Sequence, residues 1–345
     1  MTILLTGFTG NVGPDLARSL APHRVLALVR DAQQAPRVDG VTLVEGSLEN
    51  LPTAVQTEVE AIVHCAAAVA FKRPIEELRR TNVDGTAALL EFARHCPRLR
   101  RFIHVSTICV YGDISGSAPE LPVAGVPNFI NAYEQSKWEA EGLVLASHLP
   151  AEIVRLAIVA GGENDGAVRR LGALHHALYW LYQGLIPMIP GTRESRVDLI
   201  STEFAAEVIA ATLRTPEQPG RIIHASSGNA GPSLGELLEY LAAYFSRHHR
   251  GWASGAVSIP DIADRQTFRM FQHSVEQSGD ILFRRVCEDA ESFLPILLHP
   301  RTMQTSLAKT VPASDWRVLV ERVAGRLIET NWNRKPKETS TYVAA

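Results

Sequence analysis

The sequence has little cysteine, no long apolar run and no excess of one charge, and each shortage removes a class of protein. Four cysteines stand in 345 residues (Cys65, Cys96, Cys109 and Cys287), and no two form a C-x-x-C pair. A chain of this size needs no covalent staples, so they read as reduced core thiols and the protein as cytoplasmic. No stretch approaches the roughly 18 consecutive apolar residues of a membrane-crossing helix. Thr2-Ile3-Leu4-Leu5 runs directly into glycine without the basic start and small-residue cleavage site of a secretory leader, so none is expected. Lysine and arginine total 34 against 37 aspartates and glutamates. That near balance argues against nucleic acid or an anionic membrane as the main partner. No metal is expected either. His175-His176 and His248-His249 are adjacent pairs whose side chains diverge on a helix, with no carboxylate or cysteine at ligand spacing.

What the first half does contain is alternation. Short apolar runs at Ile3-Leu5, Arg24-Val29, Val41-Val44, Ala61-Cys65, Phe102-Ser106 and Glu152-Leu156 are separated by helical patterns at 11–20, 75–95 and 132–147. Strands alternating with helices predict an α/β fold, a parallel sheet covered on both faces. Further on, 171–183, 202–213, 234–245 and 316–329 read as helices, while 221–225 reads as a strand returning to the sheet. The pattern over 246–300 assigns no elements. The expected division is a nucleotide-binding domain at 1–160 with 197–226, a substrate cap at 161–196 with 227–330, and a loose polar tail at 331–345.

Thr6-Gly7-Phe8-Thr9-Gly10-Asn11-Val12-Gly13 lies between the first strand and the first helix, its glycines spaced G-x-x-G-x-x-G. Gly7 permits a tight turn, Gly10 removes a Cβ that would block a pyrophosphate, and Gly13 permits close packing. The amides of the helix start would then face phosphates. The strand–turn–helix context makes the triplet a candidate dinucleotide cradle rather than a flexible turn. At the end of the second strand, Arg30 can grip a 2′-phosphate, which favours NADPH over NADH. The competing readings are that Arg30 is a solvated strand end or that Asp31 senses the ribose. Ser47 or Leu48, after the third strand, could flank the adenine. His64-Cys65-Ala66-Ala67 ends the fourth strand with small residues that leave room for the nicotinamide ribose.

Tyr133 and Lys137 stand four apart on one helical face, a spacing that lets an ammonium favour a phenolate. The phenol could then give a proton to a carbonyl oxygen while hydride reaches the carbon. The fifth strand delivers Thr107, with Ser106 as its rival, to the same crevice. Asn82 is either a direct part of the site or a helix-interior amide bonded to backbone.

In order along the chain, TGFTGNVG at 6–13, HCAA at 64–67, NVDGT at 82–86, HVSTICVYG at 104–112, YEQSK at 133–137 and RLAIVAG at 155–161 resemble the extended short-chain dehydrogenase/reductases. The resemblance covers about the first 160 residues. It implies a Rossmann-type doubly wound parallel sheet with a smaller, mostly helical C-terminal substrate cap. It also implies a catalytic triad of Thr107, Tyr133 and Lys137, and cofactor contacts from Gly7, Gly10, Gly13, Arg30, Ala66 and Lys137. HCAAAVAF at 64–71, SKWEAE at 136–141 and VDLISTEFAAEVI at 197–209 are similar to the thioester-reductase and fatty-acyl-CoA-reductase branch. Ser47, where relatives usually carry aspartate, and Leu156, where proline is common, depart from that pattern. The branch implies reduction of an acyl thioester, coenzyme A-linked or carrier-bound, to aldehyde or alcohol. A ketone, hydroxyl or nucleotide-sugar substrate on the same triad (ketoreductase, hydroxysteroid-like dehydrogenase, epimerase or dehydratase) is the alternative. A non-catalytic NADP-binding regulator is the third reading. Relatives often pair two subunits through the helices at 75–95 and 132–147, which makes a homodimer an expectation.

Overall fold

In the central strands alternate residues face opposite sides of the sheet, and both sets are apolar. Ile3, Leu5, Val25, Ala27, Val63 and Ile103 feed one core, while Leu4, Leu26, Leu28, Ile62, Phe102 and Ile153 feed another. A strand buried on both faces belongs in a helix-covered parallel sheet. The computed structural model describes residues 1–248, 256–291, 297–307 and 310–333. It contains that sheet. Its strands are β1 (Thr2–Thr6), β2 (Arg24–Val29), β3 (Val41–Glu45), β4 (Ala61–His64), β5 (Arg101–Thr107), Ala151–Leu156 and Ile222–Ala225. From one edge the order is Ile222–Ala225, Ala151–Leu156, β5, β4, β1, β2, β3, and every pairing is parallel. The chain moves outward in one direction from β1 through β2 to β3, then returns to β4 on the other side of β1. This reversal is the topological switch point at which such sheets bind ligands, outside the carboxyl ends of the strands.

Helices α1 (Gly13–Ser19) and α6 (Thr202–Arg214) cover one face through Leu16, Ala17, Phe204 and Ile209. On the other face lie α3 (Gly85–Arg94) and α4 (Ala132–Leu145), through Leu89, Phe92 and Val144. The single helix expected over 75–95 forms, with a π-helical turn inside it. It runs as α2 (Ile75–Arg79), a π-helical turn over Arg80–Asp84, and then α3. At the centre of that turn the Thr86 hydroxyl donates to the Asn82 carbonyl at 2.6 Å, inserting a side chain into the helical ladder.

A third core forms after the sheet. Leu174, Leu178 and Leu181 of α5 (Ala173–Tyr182) meet Leu237, Leu241 and Phe245 of α7 (Leu234–His248), and Leu319 and Val323 of the last helix, Trp316–Glu329. The stretch over 246–300 that yielded no assignment holds α8 (Arg265–Ser278) and α9 (Ile281–Glu291). Helix α8 buries only Phe268 and Val275, too narrow a stripe to give a legible period. The tail also needs correction at its start. Trp332 is buried, its ring 5.2 Å from Tyr179 and 5.6 Å from Tyr182, and Asn333 donates to the Val168 carbonyl at 2.9 Å. One large aromatic outweighs its polar neighbours, because burying it gains about as much as several small side chains. Residues 334–345, with Lys335-Pro336-Lys337, and His249 lie outside the described residues. No helix among the described residues is long and apolar enough to cross a membrane.

Candidate active site

The glycine turn joins β1 to α1 at the switch point. Gly7 has φ +77°, and a Cβ there would lie 2.5 Å from the Cys65 carbonyl carbon, so only glycine lets β1 and β4 approach this closely. A Cβ on Gly13 would lie 2.1 Å from the Phe8 carbonyl oxygen. That close approach is within the turn, not between helix and sheet as expected. At Gly10 the only near atom is the Gly7 carbonyl oxygen at 3.1 Å, so its outer side is open. The start of α1 has no side-chain cap at Val12 and carries Pro14 in its first turn, leaving its first amides available to an anion. An open cradle at Gly10 and an uncapped helix start fit a dinucleotide's pyrophosphate.

The other turn residues divide by use. Phe8 is fully buried, so only its backbone can serve a ligand, whereas Thr9 is partly exposed. The Asn11 side chain accepts from the Arg169 and Arg170 amides at 3.0 and 2.8 Å and donates to the Arg170 carbonyl at 2.9 Å. It therefore fastens the turn to the segment before α5. At the end of β2, Arg30 is exposed. Asp31 is engaged locally: its carboxylate accepts from the Gln33 amide at 2.8 Å and the Gln34 side chain at 2.6 Å. Ser47 accepts from the Asn50 amide at 3.1 Å, and Leu48 packs against Gly85, where a Cβ would come within 2.7 Å of it.

The end of β4 is held from two sides. Thr6 Oγ1 contacts His64 Nδ1 at 2.8 Å and accepts from the Ala66 amide at 3.2 Å. His64 Nε2 reaches Thr86 at 3.0 Å. Asn82 accepts from the Ala68 amide at 2.7 Å and donates to the Ala68 carbonyl at 3.0 Å and the Ser136 hydroxyl at 2.9 Å. Both of its amide N–H groups are thus spent on protein. It clamps the segment after β4, through Ala68, to Ser136 of α4, a positioning task. Burial pushes the Cys65 thiol up to about 11.

Tyr133 sits in the first turn of α4. Asn131 starts that helix, accepting from the Glu134 amide at 3.0 Å while the Glu134 carboxyl takes the Asn131 side chain at 3.0 Å and the Ile130 amide at 3.2 Å. This reciprocal cap fixes the phenol's place on the helix. Burial holds the Tyr133 phenol well above its usual range, the nearby Cys109 adds to this, and the neighbouring Thr107 hydroxyl pulls the other way. Thr107 and Tyr133 are therefore brought together. Ser106 points to the opposite strand face, and its buried hydroxyl has no partner among the described residues. The Phe71 ring meets Tyr133 edge-on with centroids 5.4 Å apart, and Phe71 and Asn131 line a cavity of about 590 Å³.

Lys137 is placed differently from the expected lysine–phenol pair. Its Nζ donates to the Val105 carbonyl at 2.9 Å and to His104 Nε2 at 3.1 Å, so the amine is anchored on β5. Burial lowers it to about 8, with Glu141 opposing. Three N–H groups and two protein partners leave one donor for a ligand. As acceptor from Lys137, His104 carries its proton on Nδ1, which is buried without a partner among the described residues. Burial and Lys137 keep His104 neutral. No role for His104, Glu134 or Phe71 follows from the glycine and Y-x-x-x-K patterns alone. For Glu134 a signal exists in Asn131-Ala132-Tyr133-Glu134, the spacing of a helix-start box. His175 is an internal fastener, accepting from the Gly172 amide and donating to the Ala160 carbonyl, both at 2.8 Å.

Residues 47–209 match the family model described as male sterility protein, an NAD-binding domain. A polyketide synthase–nonribosomal peptide synthetase hybrid from Aspergillus japonicus is 28% identical over 264 residues, 66% of this chain and 6% of that protein. A 4-hydroxy-2-methyl-3-oxo-4-farnesyl-3,4-dihydroquinoline-1-oxide ketoreductase from Stigmatella aurantiaca is 30% identical over 188 residues, 50% of this chain and 54% of the relative. The chain thus spans about half of the ketoreductase and a small part of the synthetase. Among solved structures, the terminal R domain of the myxalamid biosynthetic pathway superposes with a TM-score of 0.75 at 23% identity, covering 96% of this chain and 91% of that one. A UDP-glucuronic acid 4-epimerase from Bacillus cereus superposes at 0.68 and 18% identity, covering 96% of this chain and 100% of that one. The chain thus contains a segment matching the male sterility NAD-binding domain and shares its fold with the terminal R domain and the epimerase.

Proposed function

We propose that this protein is an NADPH-dependent reductase that converts an acyl thioester, borne by coenzyme A or a carrier protein, to an aldehyde or alcohol. The observation that carries the reading is the Tyr133–Thr107 pair beside Phe71 and its cavity. Two hydroxyls on one carbonyl oxygen would polarise it, and the raised phenol keeps its proton at neutral pH until the oxygen gains charge. Bound NADPH supplies the hydride. Tyr133 Oη would then pass its proton to the carbonyl oxygen, oriented by Thr107 Oγ1, to give a hemithioacetal. Breaking its C–S bond releases the aldehyde and the thiol, which takes the hydroxyl proton. A second NADPH would be consumed to reach the alcohol. Lys137, anchored on β5, would offer its remaining N–H to the nucleotide ribose. The glycine turn, Thr9 and the α1 amides would hold the pyrophosphate, Arg30 the 2′-phosphate, and Ser47 and Leu48 the adenine. Residues 161–196 and 227–330 would form the substrate cap.

The likeness to synthetase-borne sequences supports a thioester, and the ketoreductase relative supports a second reading in which a ketone takes the same position. NADPH consumption with a panel of acyl-CoA and acyl-carrier thioesters, run beside a ketone panel, separates them. Thioester turnover with product aldehyde or alcohol is expected; turnover of ketones alone removes the first reading. Tyr133→Phe should lower kcat by about 10²–10⁴-fold on the accepted substrate. Undiminished activity would remove the assignment of the proton donor.

A further inference from the structure

The cavity lined by Phe71, whose ring meets Tyr133, is walled on another side by α8, and its charges are unevenly committed. Asp113 accepts from the Asn128 amide at 3.1 Å and side chain at 2.8 Å. Glu288 accepts from Lys72 at 3.3 Å, and Lys72 also donates to Asp289 at 3.0 Å. Burial, with Arg301 and Arg265 nearby, holds the His299 imidazole below its usual value. Arg265 and Arg269 remain. They are exposed and stand four apart on α8, so they share a face, and neither has a hydrogen-bond or ion-pair partner among the described residues. Both also border an outer hollow with Gln266, Met270 and His273, which puts them at the cavity's rim. Buried Phe268, between them in sequence, anchors the helix that presents them.

We propose that Arg265 and Arg269 form an anion clamp for a phosphate at the far end of the substrate's arm, with the arm in the 590 Å³ cavity and its reacting end at Phe71 and Tyr133. Two planar guanidiniums one helical turn apart suit a phosphate's several acceptor oxygens, and among the described residues no carboxylate forms an ion pair with either. The clamp deepens the thioester reading and rests on it for the position of the reacting carbon. The phosphate of a pantetheine arm and the diphosphate of a nucleotide-linked sugar present the same chemistry.

The test is calorimetric titration of NADP⁺-saturated protein, wild type and the Arg265→Gln/Arg269→Gln double variant, with 4′-phosphopantetheine, UDP and unphosphorylated pantetheine. Saturation keeps the probes out of the nucleotide site. At least one phosphate probe should bind the wild type and bind the double variant about tenfold or more weakly, with pantetheine indifferent to the change. Preference for phosphopantetheine supports the clamp with a thioester arm; preference for UDP supports the clamp and removes the thioester. If neither phosphate probe binds the wild type, or the double variant binds them unchanged, the clamp is overturned. The thioester reading is then judged separately by turnover. Both arginines are exposed, and an unchanged melting temperature and NADP⁺ affinity will show that the double variant is folded.

Discussion

At the residue scale, the site is a set of buried polar groups whose chemistry is set by what touches them. Lys137 is the clearest case. Its amine lies in the interior with His104 and the Val105 carbonyl, and burial brings it to about 8. The charged form exists below that value and is lost above it. If reduction needs the ammonium, kcat/KM is flat at neutral pH and falls as pH rises through about 8. A profile flat to pH 10 would contradict this. Arg30 acts in the opposite regime, exposed and unburdened, while Asp31 is tied into its own turn. Arg30→Ala should therefore raise KM for NADPH roughly tenfold and leave KM for NADH nearly unchanged, the loss expected from one charge-assisted contact. Steady-state kinetics with both nucleotides decide it. An equal effect on both would make Arg30 a general surface charge.

At the scale of elements, the proposed catalytic groups depend on how strands and helices end. Thr107 lies where β5 stops, and its hydroxyl accepts from the Cys109 amide at 3.2 Å to begin the next turn. Tyr133 lies where α4 starts, and Asn131 and Glu134 hold that start. Burial raises the Glu134 carboxyl to about 7, against bonds from Ile130 and Asn131 that favour its charge. Asn131→Ala removes the cap and one partner of a buried carboxyl. It should cost about 1 kcal/mol of stability and lower kcat by loosening Tyr133. Chemical denaturation and turnover measure the two effects. A stability loss with kcat untouched would show that the cap does not position the phenol. The glycine turn obeys the same logic, since β1 and α1 can meet β4 only because Gly7 lacks a Cβ.

At the scale of the whole molecule, one buried cation binds distant segments together. Arg155 is fully buried. It pairs with both Glu141 oxygens at 2.9 and 2.7 Å and donates to the Tyr111 hydroxyl at 2.9 Å and the Leu121 carbonyl at 3.0 Å. Tyr111 donates to the Pro119 carbonyl at 2.6 Å, and His224 beside it reaches the Gln304 carbonyl at 2.9 Å. The sheet, α4, the loop after β5 and the late segment near 304 are thereby joined behind the catalytic helix. Arg155→Met leaves Glu141 buried without its partner and should cost about 3–5 kcal/mol, lowering the melting temperature. A shift near zero would mean that water enters and replaces the pair.

The residues themselves determined the parallel sheet, the glycine turn and the helical spacing of Tyr133 and Lys137. These are local facts: apolar runs of strand length, a missing Cβ, a repeat of 3.6. The helices over 171–183, 234–245 and 316–329 were legible for the same reason. Folding alone decided the rest, because it depends on atoms remote in sequence. It turned Lys137 toward His104, engaged Asn82 with Ala68 and Ser136, put a π-helical turn into the helix at residues 80–84, and buried Trp332 against Tyr179 and Tyr182. It also set Arg265 and Arg269 on the rim of a cavity that begins beside residue 71. Periodicity reports which face of an element is apolar, but partners for buried polar groups are chosen in three dimensions, where each donor must find the acceptor that packing brings to it.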